Sequence, residues 1–136
     1  MGQEYRRTQT TVSLINYHFV FCPRYRRKVL VKEVEQRFRK LLQEICREHE
    51  LIIVALEVMP DHVHLFVNAL PTIRPSEIMA KVKGVTSRRL RQEFKHLQHL
   101  PSLWTRSFFC STAGNVSSDT IQRYCRTKDK GVTNCK

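Results

Sequence analysis

The spacing of apolar residues divides the chain into strands and helices. Residues 12–21 are rich in aromatic and β-branched side chains and predict a first strand, one face of which carries Ile15, Tyr17, Phe19 and Phe21. Residues 33–49 predict an amphipathic helix, because apolar side chains recur there at helical spacing: Val34, Phe38, Leu41, Leu42, Ile45 and Cys46.

Four further segments follow the same reasoning. Residues 51–58 form an apolar run that predicts a second strand buried on both faces, and a tight turn at Pro60-Asp61 leads to a third strand over 62–69. Residues 76–94 predict a second helix whose inner side carries Ile78, Val82 and Val85. The aromatic segment 106–112 predicts a last strand.

A third helix is predicted near the C-terminus. Ser117 can cap its first amides, Val116 can pack on Ile121, and Tyr124 lies two turns into it. The order strand, helix, strand, strand, helix, strand, helix is typical of an α+β, ferredoxin-like (RRM-like) antiparallel sheet. Two helices would cover one face, and the tyrosine-bearing helix would lie near the other. We expect a single domain over residues 1–136.

The charge of the chain indicates its partner. Lys and Arg number 24 against 12 Asp and Glu, a net charge of +12, which favours nucleic acid. No apolar run approaches the about 18 residues that span a bilayer, and no signal peptide is evident, so we expect a cytoplasmic protein without membrane contact. The five scattered cysteines indicate reduced thiols.

Two histidines two residues apart form the main candidate site. On a strand, His62 and His64 would share one face, mid-sheet, while Val63 and Leu65 point into the core. Such a pair can hold one divalent ion, for which imidazole favours Mn²⁺, with Mg²⁺ and its waters as the other option. The alternative is a polar pair facing solvent on the open side of the sheet.

Basic residues are candidate DNA contacts. A loop after the first strand concentrates Arg24, Tyr25, Arg26, Arg27 and Lys28. On the second helix, four cations form a charged stripe: Lys81, Arg88, Arg91 and Lys95. Lys83, on the same helix, is a further candidate. The alternative for the stripe is a solvated charged face.

Tyr124 is the candidate nucleophile, although by pattern alone a helical tyrosine more often packs on the sheet through its ring. A phenol has a pKa of about 10 and needs help to attack phosphorus at neutral pH. A divalent ion on the histidine pair would provide it by polarising a phosphodiester oxygen. The product would be a 5′-phosphotyrosine linkage and a free 3′-hydroxyl.

These residues match a known family. The chain resembles the HUH single-tyrosine transposases of the insertion-sequence 200/605 family in the stretches Tyr17-His18-Phe19-Val20, Arg24-Tyr25-Arg26, Glu57-Val58-Met59-Pro60-Asp61-His62-Val63-His64-Leu65, Lys83-Gly84-Val85-Thr86-Ser87-Arg88, Leu103-Trp104 and Ile121-x-x-Tyr124. The resemblance implies a homodimer that binds single-stranded DNA hairpins at the ends of an insertion sequence, and cleaves and rejoins strands through Tyr124. It also implies metal ligation by His62 and His64, and active sites that two subunits can share.

One position departs from the family pattern. Lys128 stands where the family has a metal-binding glutamine, and an ammonium has no lone pair to donate. Asp129 is the nearest carboxylate that can replace it as third ligand. Two alternatives therefore stay open: a catalytically impaired or domesticated hairpin-binding protein of the same fold, and a metal-dependent nuclease that uses water.

Overall fold

The structure, a computed structural model, describes residues 3–113 of the chain. The strands of this part are β1 (Arg6–Arg7), β2 (Val12–Ser13), β3 (Ile15–Phe21), β4 (Ile52–Met59), β5 (His62–Ala69) and β6 (Phe109–Ala113). Its helices are α1 (Lys32–Glu48) and α2 (Pro75–Glu93), with short 3₁₀ turns at Arg24–Arg26 and Lys95–Leu97. The predicted order of elements is confirmed up to residue 113.

Four of these strands form one antiparallel sheet in the order β4-β5-β3-β6. The two central strands, β3 and β5, pair with each other and each also pairs with an outer strand. This is the strand order of the ferredoxin-like fold, as predicted. The short strands β1 and β2 form a separate hairpin that the sequence pattern did not predict.

Helices α1 and α2 bury the hydrophobic core against one face of the sheet. All the residues predicted for the inner face of α1 are buried. Full burial of a side chain such as Phe38 stabilises the fold by about 1.5–3 kcal/mol. On α2, Ile78 and Val82 are buried as predicted, whereas Val85 is half-buried at the margin of the core.

Three details of the predicted strands are wrong. The first strand is split, because residues 12–13 pair with β1 while β3 pairs with β5 and β6. The run 51–58 is not buried on both faces, because β4 lies at the edge of the sheet and its side chains are half-buried or exposed. The last strand begins at Phe109, because only residues 109–113 pair with β3. Before it, the carbonyls of Thr105 and Ser107 accept hydrogen bonds from the Lys83 amine.

Three of the five cysteines lie within the described residues. Cys22, Cys46 and Cys110 are free thiols there. Within residues 3–113, neither helix is long and apolar enough to cross a membrane.

Candidate active site

His62 and His64 lie on the central strand β5, with their side chains on the face opposite the two helices. Residues two apart on a strand share a face, and the intervening Val63 belongs to the helix-side core. Both histidines are buried, with 4% and 0% of their surface exposed. Their ring centroids are 5.2 Å apart and the ring planes are nearly perpendicular, at 82°. The alternative of a solvent-facing polar pair is therefore excluded.

The spacing of the two rings is compatible with ligation of one ion. An ion bound at about 2.1 Å from one nitrogen of each ring would lie about 3.2 Å from each ring centre, and centroids 5.2 Å apart permit this. Residues 3–113 contain no cluster of three or more His, Cys, Asp or Glu side chains placed to hold a metal. The pair thus fits as two ligands, and a complete site needs donors from elsewhere in the chain, from water or from substrate.

Asp61 orients the first histidine. The Nδ1 atom of His62 lies 2.7 Å from the Oδ1 atom of Asp61, and Oδ2 forms an ion pair with Arg26 at 3.2 Å. Partial burial opposes ionisation of Asp61, but the His62 hydrogen bond and the Arg26 charge outweigh it and hold the pKa of the carboxyl below its usual range. With Nδ1 donating to this carboxylate, Nε2 of His62 carries the lone pair that a metal requires.

Backbone geometry brings Arg26 to this site. Tyr25 and Arg26 both have left-handed backbone angles, with φ of 58° and 49°, which residues other than glycine seldom adopt. The turn directs the Arg26 guanidinium toward Asp61, and its Nη2 atom lies 3.3 Å from Nδ1 of His62. Unusual backbone angles of this kind cluster at functional sites.

A third histidine contacts the pair. His18 lies on β3, fully buried, and its Nε2 atom is 3.2 Å from Nδ1 of His64. Its ring stacks on Phe66, with centroids 4.1 Å apart. When Nδ1 of His64 donates to His18, Nε2 of His64 carries the lone pair, as in His62. Sequence reasoning missed this role, and the available signal was a histidine on the face of the first strand opposite Phe19.

The predicted DNA-binding residues differ in exposure and in their contacts. In the loop after β3, Tyr25 is 76% exposed and the Arg27 guanidinium lies 5.5 Å from its ring centroid. Lys28, Lys81 and Arg88 are also exposed. Lys95 is exposed too, but it lies beyond the end of α2, so the helical stripe does not extend to it.

Two of the predicted cations hold the segment after α2 in place. The Lys83 amine donates to the carbonyls of Thr105 and Ser107 at 2.8 and 2.7 Å. The Arg91 guanidinium donates to the carbonyl of Leu100 at 3.1 Å and to Ser87 on its own helix. Their contacts within the described residues are therefore structural.

The predicted nucleophile Tyr124 and the predicted third ligand Asp129 lie outside the described residues, as do Lys128 and the predicted third helix. Their roles stay predictions.

Comparison with known proteins places the chain in a family. The family model for IS200-like transposases matches residues 11–128. The ISDra2 transposase TnpA of Deinococcus radiodurans is 30% identical over 128 residues, which cover 92% of this chain and 91% of that protein. A transposase for the insertion sequence element IS200 of Salmonella typhimurium is 28% identical over 113 residues, covering 81% and 74%.

Solved structures agree with the fold. The crystal structure of a Deinococcus radiodurans protein superimposes with a TM-score of 0.74 at 32% identity, covering 90% of this chain and 97% of that one. The structure of a REP-associated tyrosine transposase bound to a REP hairpin superimposes with a TM-score of 0.60 at 21% identity, covering 96% and 76%. The length of the family match and the identity to these relatives show that the chain belongs to the IS200-like transposase family.

Proposed function

We propose that the protein cleaves and rejoins single-stranded DNA at the ends of an insertion sequence, with Tyr124 as the nucleophile. Membership in the IS200-like family makes DNA transposition its class of function. The observation that carries the finer proposal is the enclosed pair of His62 and His64, whose rings are oriented by Asp61 and His18.

The histidine pair is the proposed site of a divalent ion, Mn²⁺ or Mg²⁺, bound through the two Nε2 atoms. When bound, the ion would polarise a phosphodiester oxygen and offset the charge that develops at phosphorus. Asp61 and His18 hold the two rings in position. Asp129 or water is the proposed third ligand, because Lys128 has no lone pair.

Tyr124 is proposed to act by covalent catalysis. Its phenol proton passes to solvent and the phenol oxygen forms a bond to phosphorus. The bond from phosphorus to the 3′ oxygen breaks, and that oxygen takes up a proton from solvent and leaves as a 3′-hydroxyl. The 5′ phosphate stays esterified to the tyrosine. In rejoining, a 3′-hydroxyl attacks this ester and displaces Tyr124, so the phosphodiester is restored without ATP.

The proposed substrate is DNA folded into hairpins at the element ends. The net charge of +12 favours a polyanion, and the tyrosine transposase of similar fold is bound to a REP hairpin. We also propose a homodimer in which the tyrosine helix of one subunit can serve the histidine pair of the other.

A covalent adduct tests the proposal. The full chain is incubated with Mn²⁺ or Mg²⁺ and single-stranded DNA from the ends of its element, and the products are separated under denaturing conditions. We expect a protein–DNA adduct on the 5′ phosphate that Tyr124→Phe abolishes. The matched control is Tyr5→Phe, which removes an exposed hydroxyl at a tyrosine outside the predicted site and should retain the adduct. No adduct on the correct ends would refute tyrosine catalysis.

The second candidate function is hairpin binding without cleavage, and the observation that favours it is Lys128 at the expected ligand position. It predicts salt-sensitive binding that depends neither on metal nor on Tyr124. A water-using nuclease would instead release cut DNA with no protein attached.

A further inference from the structure

A cleft of about 390 Å³ lies between α2 and the loop that precedes β6. Its volume is within the range of small-ligand pockets. Because α2 packs on the face of the sheet opposite His62 and His64, the cleft is separate from the candidate active site. Arg24 and Arg106 belong to its wall, together with Lys83, Gly84 and Trp104.

The charge of the cleft favours an anion. Three of its side chains are cationic, and none of the described residues that line it is acidic. The Nε atom of Arg24 is buried and has no hydrogen-bond partner among the described residues. A buried N–H without an acceptor is costly, so the guanidinium of Arg24 is not fully satisfied by the described residues. Its two Nη groups can donate to an anion in the cleft that Arg24 lines.

Gly84 gives a second, independent indication. A glycine in the middle of a helix is destabilising relative to alanine. Gly84 has no positive φ that would require glycine, and a Cβ added there would meet no described residue within 4 Å. Neither the backbone nor packing within the described chain explains this glycine, whereas a ligand that approaches the helix closely through the cleft does.

Lys83 contributes a third cation to the lining of the cleft. Its amine donates to the carbonyls of Thr105 and Ser107, and an ammonium has three N–H donors. Burial lowers the pKa of Lys83 to about 8. A bound anion would favour the charged form of this amine.

We infer that the cleft binds a phosphate of the DNA backbone, held between the guanidinium groups of Arg24 and Arg106, with Gly84 allowing the strand to approach α2. Planar guanidinium groups suit phosphate oxygens because they donate two parallel hydrogen bonds. The inference rests on the proposed function, which makes single-stranded DNA the substrate.

The fluorescence of Trp104 reports on the cleft itself, because Trp104 is the single tryptophan of the chain and lines the cleft. Titration with oligothymidylate should change its fluorescence as the DNA binds. Gly84→Leu fills the cleft while improving helix propensity, so we expect the fluorescence change to disappear and the affinity to fall about tenfold. The slope of log K against log salt should decrease in magnitude by about 0.7 for each phosphate that the variant no longer binds. Arg106→Gln should act in the same direction.

The matched control is Ala80→Leu, one turn earlier on the same side of α2, at an exposed position outside the cleft. It should bind DNA as the wild type does, and circular dichroism should show both leucine variants folded. Unchanged affinity, salt slope and Trp104 response in Gly84→Leu would overturn the inference.

Two further measurements are needed. One distinguishes DNA from free phosphate as the ligand of the cleft, and the other distinguishes failure of the cleft inference from failure of the proposed function. If inorganic phosphate saturates the Trp104 response at concentrations as low as oligothymidylate does, the cleft is a free-anion site and its assignment to DNA is wrong. Tyr124→Phe should retain the Trp104 response. Failure of the proposed function therefore appears as a missing covalent adduct, and failure of the cleft appears as an unaffected Gly84→Leu variant.

Discussion

Replacing His18 by phenylalanine tests whether His64 is held as a metal ligand by its neighbour on β3. The new ring can keep the stacking on Phe66, where the centroids are 4.1 Å apart, and nearly the same buried volume. It removes the contact of 3.2 Å between Nε2 of His18 and Nδ1 of His64. Removing a group that orients a metal-binding histidine lowers metal affinity about 10–100-fold, so we expect a decrease of this size in a folded variant.

The expected effect on stability follows from linkage. At a Mn²⁺ concentration of about 100 times the wild-type Kd, binding raises the free energy of unfolding by about 2.7 kcal/mol. If His18→Phe raises Kd tenfold, Mn²⁺ at the same concentration raises the free energy of unfolding by only about 1.4 kcal/mol. If it raises Kd hundredfold, this increment falls to about 0.4 kcal/mol. Urea denaturation with and without Mn²⁺ measures the increment, and calorimetric titration measures Kd directly.

Two variants make this experiment specific. His18→Gln keeps a carbonyl oxygen that can accept from Nδ1 of His64, and it should recover part of the metal affinity. His99→Phe changes an exposed histidine away from the sheet and should leave the increment unchanged. An equal Mn²⁺ increment in wild type and His18→Phe would refute the positioning role of His18.

Three further predictions concern stability. Thr86→Val removes the acceptor of the buried Trp104 indole N–H, at 2.9 Å, and should lower the free energy of unfolding by about 1–3 kcal/mol in urea. Burial raises the pKa of the Cys46 thiol to about 11. Because the thiol of the unfolded chain ionises first, the free energy of unfolding of the wild type should fall by about 2–3 kcal/mol between about pH 9 and 11. Cys46→Val should lack this contribution. Arg37→Ala breaks the α1–α2 ion pair with Glu93, at 2.7 Å, and should cost less than about 1 kcal/mol because the pair is partly exposed. The Arg37 hydrogen bond holds the pKa of Glu93 below its usual range, so this contribution should be present near neutral pH and disappear as the pH falls through the lowered pKa.

Each of these predictions has a matched comparison. Thr86→Ser keeps the hydroxyl and should cost less than Thr86→Val; equal decreases in stability would contradict the hydrogen-bond explanation. Parallel curves of stability against pH for wild type and Cys46→Val would contradict the thiol assignment. Arg39→Ala breaks an ion pair within α1 and serves as the comparison for Arg37→Ala. If acid changes the free energy of unfolding of the two variants equally, the helix-bridging role of Arg37 is contradicted.

Much of the fold could be predicted because periodicity is a local property. The inner face of α1 and the bounds of β5 follow from residues within a few turns or steps of each other. The edge position of β4 could not be read in this way, since an apolar run looks the same whether a strand has one neighbour or two. The late start of β6 could not be read locally either, because it is set by which residues pair with β3.

Some residues of the candidate site could likewise be identified from the local sequence, and others could not. His62, His64 and Asp61 could be identified together because they are adjacent in the chain. Arg26 and His18 join them only through tertiary contacts, at separations of 36 and 46 residues from their partners. The DNA-binding prediction treated every basic residue alike, and only the structure separates the exposed Arg88 from the internally bonded Arg91.

The sequence by itself determined the order of elements, the face on which the histidine pair lies and the resemblance to a transposase family, because alternation and motif spacing operate over short stretches. Tertiary structure decided which groups surround that pair and which cations line a cleft. The antiparallel register of β3 against β5, which sets Val20 opposite His64, brings His18 beside the same ring. No local pattern encodes a register between strands so far apart in the chain.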